Sequence, residues 1–242
     1  VYAYCRWADD LADESGGGDT ALSLLKWWRG ELLNCYHGKP VHPVMVALQS
    51  TIRKFRIPPE PFLNLLLAFE HDQRVTEYST FDDVMAYCGN SANPVGRLVL
   101  HLFGQASDNS LKLSDEVCTG LQLANFWQDV ARDAAIGRVY IPQDDLARFG
   151  VNLADLKDRR TSAALCECVR FQVQRTWFFF ERGRGLLGLL TPEARRNIRL
   201  FIEGGEATLR AIERVGYDTL TARPTVDKGT KLKLLLLALF GI

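Results

Sequence analysis

Two short acidic runs carry the clearest chemistry in this sequence. Asp9-Asp10-Leu11-Ala12-Asp13-Glu14 lies near the start, and Asp129-Val130-Ala131-Arg132-Asp133 lies past the middle. In each, two Asp stand at i and i+4, so on a helix both carboxylates leave from one face. Like charges at that spacing repel, and nothing local rewards them. A hard divalent cation does: Mg2+ takes oxygen ligands, keeps several waters and bridges carboxylates to substrate phosphates. Each pair also belongs to a longer polar stripe. Tyr2, Arg6, Asp9 and Asp13 follow i, i+4, i+7 and i+11, and Gln122, Asn125, Asp129 and Asp133 form the second. The rest of both segments is rich in Ala, Leu, Val, Phe and Trp, residues that read as core. Polar groups on such helices cost stability unless satisfied, which predicts a polar-lined cavity. The ordinary alternative is two solvated faces, salt-bridged to Arg6 and Arg132.

Beyond the second run lies Ile136-Gly137-Arg138-Val139-Tyr140-Ile141-Pro142. The planar fork of Arg138 matches the oxygens of a diphosphate, although a lone Arg is most often an ordinary surface residue. Gly183-Arg184-Gly185-Leu186-Leu187-Gly188 matches GxGxxG, but no strand precedes it, so it reads as small residues that permit close helix packing. Trp177-Phe178-Phe179-Phe180 reads as core, with a cavity-facing subset able to steady a cation through the ring quadrupole. His37, His42, His71 and His101 share no spacing and receive no role.

The elements that must position these groups are helical almost throughout. The periodicity predicts a helix over 1–14, ended by Ser15-Gly16-Gly17-Gly18, and a second capped by Asp19 or Thr20 and running to Tyr36. Pro40 and Pro43 precede a third over 44–55, and Pro58, Pro59 and Pro61 start a fourth that reaches Asp72. A polar link, 73–80, leads to a helix over 81–88, and Asn93-Pro94 opens another to Phe103. Ser114 is expected to cap a long helix to Asp133. Residues 136–142 form the one extended piece, and 144–158 short helix and loop. Two long helices are expected over 161–190 and 192–215. Arg223-Pro224 begins a loop before a last helix over 229–240. No fixed-period repeat or low-complexity segment interrupts the pattern. The fold class is all-α, one domain over 1–242, a helical bundle with room for a central cavity.

Composition narrows the function classes. A chain of 242 residues with 47% hydrophobic and 24% charged residues is globular. Lys plus Arg equals Asp plus Glu at 29 each, so a broad electrostatic footprint for nucleic acid is not expected. Cys5, Cys35, Cys88, Cys118, Cys166 and Cys168 form no CxxC pair and have few His about them, which favours free thiols in a reducing cytosol. The longest apolar run, Leu234 to Phe240, is far short of a membrane span. Lys231 to Phe240 is apolar on nearly all sides after its two Lys; burial against the bundle is the first reading, contact with a membrane surface the second.

Two aspartate clusters on separate helices resemble the isoprenoid synthases, and the detail resembles the squalene/phytoene synthase family. Residues Tyr2 to Glu14 look like its first motif. Leu123 to Asp133, followed by Gly137-Arg138-Val139-Tyr140-Ile141-Pro142, looks like its second. Asp72, Tyr78 and Tyr217-Asp218 also fit. The similarity spans essentially the whole chain, with the family's N-terminal helix, before Val1, missing. The resemblance implies an isoprenoid-synthase bundle, Mg2+ as cofactor and a prenyl diphosphate as substrate. It implies metal ligation by Asp9, Asp13, Asp129 and Asp133, and diphosphate binding by Arg6, Arg138 and Tyr140. Tyr2, Gln122, Asn125 and Gln128 are the catalytic candidates, the last three to orient a water.

Two departures point to one branch. Position 128 is Gln where condensing relatives commonly carry Arg, and the usual YC…VAG.VG segment reads Tyr87-Cys88-Gly89-Asn90-Ser91-Ala92-Asn93-Pro94-Val95-Gly96. Both resemble the bacterial hydroxysqualene synthases of hopanoid biosynthesis, which take presqualene diphosphate to hydroxysqualene without NADPH. The branch implies partners among the enzymes of squalene and hopanoid synthesis; the cysteine usage implies a cytoplasmic place, with peripheral contact at the inner membrane as the second reading of the C-terminal helix. The rival within the family condenses two prenyl diphosphates to squalene, presqualene diphosphate or phytoene. The rival of another class is an inactive relative acting as an assembly or scaffold protein, against which the complete acidic clusters argue.

Overall fold

The computed structural model describes residues 1–240, with side chains described through Leu234. Helices follow in the order α1 Tyr2–Asp13, α2 Gly18–Tyr36, α3 Pro43–Phe55, α4 Glu60–Asp72, α5 Phe81–Ser91, α6 Asn93–Leu102 and α7 Asp108–Gln128. They continue with α8 Val130–Ala135, α9 Gln143–Arg148, α10 Leu153–Lys157, α11 Ala163–Gly183, α12 Pro192–Arg214 and α13 Lys228–Phe240. Among the described residues no strand forms. The extended piece near Val139 makes one isolated parallel bridge to Glu77. The all-α expectation holds.

The chain divides into two compact units: Val1–Val75 with Tyr87–Leu111, and Thr76–Ala86 with Lys112 onward. The first is built on Tyr4, Ala8, Ala12, Leu25, Trp28, Leu32, Met45, Leu48, Phe62, Leu66 and Leu98. Tyr4, Ala8 and Ala12 are the i, i+4, i+8 face of α1, so burying them turns Arg6, Asp9 and Asp13 outward. The Tyr4 hydroxyl donates to the Phe62 carbonyl at 3.1 Å, which fixes the rotation of α1 on α4. Asp19 and Thr20 do not cap α2; Gly17 takes that place, and the Gln73 side chain accepts from Gly18 N–H at 3.1 Å.

In the second unit α7 runs through the core, with Leu123, Ala124 and Trp127 buried. The Trp127 indole N–H donates to Thr176 Oγ1 at 2.8 Å, which ties α7 to α11. Gly205 lets α12 approach: a Cβ there would overlap the Phe180 ring and stand 2.8 Å from Leu121 Cδ2. Gly183 likewise faces Val117, where a Cβ would meet Cγ2 at 2.7 Å, so this part of the GxGxxG run does serve packing. The expected helix over 161–190 ends at Gly183 and tightens into a 3₁₀ turn, Arg184–Leu189. Of the aromatic run, Phe180 is fully buried and Phe178 is exposed.

Two boundaries near the second acidic run differ from expectation. α7 starts at Asp108, not Ser114, because Ser107 and Ser110 exchange hydrogen bonds at the start: Ser107 N–H to Ser110 Oγ at 2.8 Å and Ser110 N–H to Ser107 Oγ at 3.3 Å. It ends at Gln128, and Asp129 (φ −103°, ψ 14°) breaks the line before α8. At the C-terminus Lys231, Leu232 and Lys233 are exposed. The expected burial of 235–240 lies outside the described side chains. All six cysteines are free thiols.

Candidate functional site

In the first unit the polar face of α1 holds its acids around one guanidinium. Arg6 reaches Asp9 at 3.0 Å, Asp10 at 2.6 Å and Glu14 at 3.5 Å. Burial, then the neighbouring Asp13 charge, pushes the Asp9 carboxyl up in spite of Arg6. One cation therefore does not balance this face. Tyr2 ends the stripe and is 81% exposed. A salt bridge of the ordinary alternative is thus present at Asp9, joined by Asp10 and Glu14, neither of which the spacing picks out.

In the second unit the stripe is also accessible: Asn125 is exposed, while Gln122, Asp129 and Asp133 are half-buried. The break at Asp129 keeps the helical rise, since Asp129 N–H donates to Asn125 C=O and Asp133 N–H to Asp129 C=O, both at 2.9 Å. Asp129 and Asp133 therefore stay one turn apart even though they do not share one helix. Arg138 folds back on this turn, its N–H donating to Asp133 C=O at 2.8 Å. Gly137 makes that reversal at φ +80°.

The two carboxylates are electrostatically unlike. Burial and the adjacent Asp129 charge push the Asp133 carboxyl up to about 6, partly offset by Arg138 and Arg132. Asp129 is held below the ordinary range, first by the hydrogen bond from Arg223. Asp133 and Arg138 border a small pocket walled by Phe126, Val139, Tyr140 and Ile141. Tyr140 stacks on Phe126 with centroids 3.8 Å apart and planes 7° from parallel, and Tyr78 stacks on Tyr140 at 5.6 Å. The pocket is little larger than a water molecule, with a charged lip on one side and a stacked aromatic wall on the other.

Gln128, a candidate to orient water, is engaged with another segment in this structure. It is buried, its amide donates to Pro224 C=O at 2.7 Å, and its Oε1 accepts from Arg223 at 2.8 Å. Both polar ends are committed to the 223–224 segment. Arg223 also grips Asp129 with two bonds, Nε to Oδ1 at 2.5 Å and Nη2 to Oδ2 at 3.0 Å. The spacing gave no sign of this residue, which lies 94 positions from Asp129 in sequence. Its one local signal is the Arg-Pro step that opens the last loop.

Within either unit, among the described residues, no three His, Cys, Asp or Glu side chains converge as a ready-made metal centre. The donor set nonetheless fits a hard cation. In each unit it is all carboxylate oxygen, and Asp9 and Asp133 are raised first by burial and then by the neighbouring Asp charge.

Residues 1–230 match the sequence profile described as squalene/phytoene synthase. A phytoene synthase of Arthrospira platensis is 32% identical over 98% of this chain and 81% of its own. A hydroxysqualene synthase of Rhodopseudomonas palustris is 37% identical over 76% of this chain and 63% of its own. The crystal structure of squalene synthase HpnC from Alicyclobacillus acidocaldarius superposes with a TM-score of 0.87 at 44% identity, covering 90% of this chain and 82% of that one. A dehydrosqualene synthase crystallised with a ligand superposes at 0.85 and 26% identity, over 97% of this chain and 82% of that one. The helical architecture is therefore the isoprenoid synthase fold of these neighbours.

Proposed function

The chain belongs to the squalene/phytoene synthase family, whose members act on prenyl diphosphates, and we propose that this one converts presqualene diphosphate and water to hydroxysqualene and diphosphate. The observation that carries the reading is the Asp129–Asp133 turn: two accessible carboxylates, one raised to about 6, beside Arg138 and the Tyr140–Phe126 wall. The 37% identity to a hydroxysqualene synthase and the 44% identity to squalene synthase HpnC support this branch.

In this reading each unit would hold Mg2+ on its own acidic pair, Asp9 and Asp13 in the first and Asp129 and Asp133 in the second. The metal supplies charge neutralisation for the departing diphosphate. Arg138 and Arg6 add charge-assisted hydrogen bonds to its oxygens. Phe126 and Tyr140, stacked on each other, wall the pocket and exclude water from the cyclopropylcarbinyl cation while it rearranges. Asn125 and Gln122, which the 223–224 segment does not occupy, orient the water that captures the rearranged cation; the Gln128 amide is already committed. Tyr2, exposed at the end of the stripe, is assigned to the same chemistry.

Arg223 favours a second reading, condensation of two prenyl diphosphates. Neutral Gln128 alone suggests a site short of positive charge, but Arg223 places a guanidinium 2.8 Å from it. The charge argument for a single-diphosphate substrate therefore weakens, and the branch rests on similarity. The deciding experiment incubates the protein with presqualene diphosphate or farnesyl diphosphate, Mg2+ and no NADPH, and identifies products by mass spectrometry. Hydroxysqualene from presqualene diphosphate, with farnesyl diphosphate little used, is expected. Efficient condensation of farnesyl diphosphate would transfer the assignment to the second reading.

A further inference from the structure

The segment between α12 and α13 is fastened at two places. Its base is closed by Arg214 and Asp227, 2.5 Å apart, and Asp227 also caps α13 by accepting from Thr230 N–H at 2.8 Å. The turn that leaves α12 holds both Gly216 and Tyr217 at φ +64°, and Asp218 steadies it by accepting from Leu220 N–H at 3.2 Å and Thr221 N–H at 3.0 Å. A non-glycine residue in the left-handed region stores strain that the surroundings must hold. Thr219 and Leu220 are buried in the middle of the segment, and its far end is fastened to the start of the acidic turn. There Pro224 is buried, its carbonyl accepting from Gln128, and Arg223 forks onto both oxygens of Asp129.

We propose that Arg223 is a resident counter-cation for Asp129, positioned by Gln128, and that a divalent cation must displace it to load the acidic turn. This rests on the metal-binding reading of Asp129 and Asp133. Arg223 engages both Asp129 oxygens within 3.0 Å, so a cation approaching them meets a like charge in contact range. Arg132 does not substitute for it, since it reaches Asp129 at 3.4 Å from an exposed position. Metal loading and release of the Arg223–Pro224 end of the segment are then one event, while Thr219 and Leu220 stay buried. Gln128 acts through Arg223 as a positioning residue: its amide holds the Pro224 carbonyl and its oxygen aims the guanidinium.

The test uses the full chain and Mn2+ alone as probe. Free Mn2+ is followed by electron paramagnetic resonance, and backbone hydrogen exchange is followed over 218–226. In the wild type, saturating Mn2+ should accelerate exchange at its Arg223–Pro224 end. Removing the competing charge in Arg223→Gln should tighten Mn2+ binding about tenfold, and exchange there should be fast with or without metal. Gln128→Ala keeps both charges but loses the two hydrogen bonds, so it should give an intermediate gain. Equal or weaker Mn2+ binding by Arg223→Gln, or unchanged exchange in the wild type, overturns the latch and leaves the metal site standing. Absence of Mn2+ binding by every variant, with native circular dichroism, overturns the metal reading and the latch together.

Discussion

Asp133→Asn removes a charge and little volume from the acidic turn, and the metal-free protein should become more stable for it. Burial and the Asp129 charge push the Asp133 carboxyl up to about 6, about two pH units above an ordinary Asp. At about 1.4 kcal/mol per pH unit the upper figure is ~3 kcal/mol; Asp133 is only partly buried, so solvent screening brings it to about 1–2 kcal/mol. The sign follows from linkage. Below about pH 4, Asp133 is protonated in the folded and unfolded chains alike, and wild type and variant should match. As pH rises from about 4 to about 6 the unfolded chain ionises before the folded one, so the wild type loses stability. Above about 6 the loss is complete. Thermal unfolding in EDTA at pH 7.5 should place the variant about 2–6 °C above wild type, a gap that closes near pH 4. With Mg2+ and inorganic diphosphate the wild type should gain and the variant should not, because a ligand stabilises only the state that binds it. A variant equal to or below wild type in EDTA at pH 7.5 would refute the claim that this carboxylate is held against its own ionisation.

Asp129→Asn should abolish turnover with circular dichroism unchanged, since it removes a ligand charge and leaves the backbone turn in place; near wild-type activity at saturating Mg2+ would remove Asp129 from the metal set. Gly205→Ala forces a methyl into the buried Phe180 ring and against the half-buried Leu121, and should cost about 1–3 kcal/mol in denaturant titration. An unchanged midpoint would show that α12 does not need this close approach.

The aspartate pairs, Arg138 and the all-helical class were legible in the sequence because each is a local matter. Spacing of three and four residues decides which side chains share a helix face, and the buried Tyr4, Ala8 and Ala12 turn the α1 acids outward as that spacing predicts. The break at Asp129 was not legible, since no Pro or Gly marks it. There the long helix yields to a short α8, and the acids stay one turn apart through backbone bonds that survive the break. The α7 start was misplaced for a related reason: Ser107, Ser110 and Ser114 are equally good caps by type, and only the reciprocal Ser107–Ser110 bonds choose between them.

Gln128 gives the sharpest contrast. Its neighbour Asp129 suggested a role beside the metal, and its neutrality suggested a missing charge. Both inferences treated the residue by itself. The fold supplies a guanidinium from 95 residues away and spends both ends of the amide on holding it. Sequence spacing fixes what one turn of helix presents, because the backbone geometry is the same wherever that helix lies. Which distant side chain completes the electrostatics depends on where a loop is anchored, and that is decided by packing the whole chain at once.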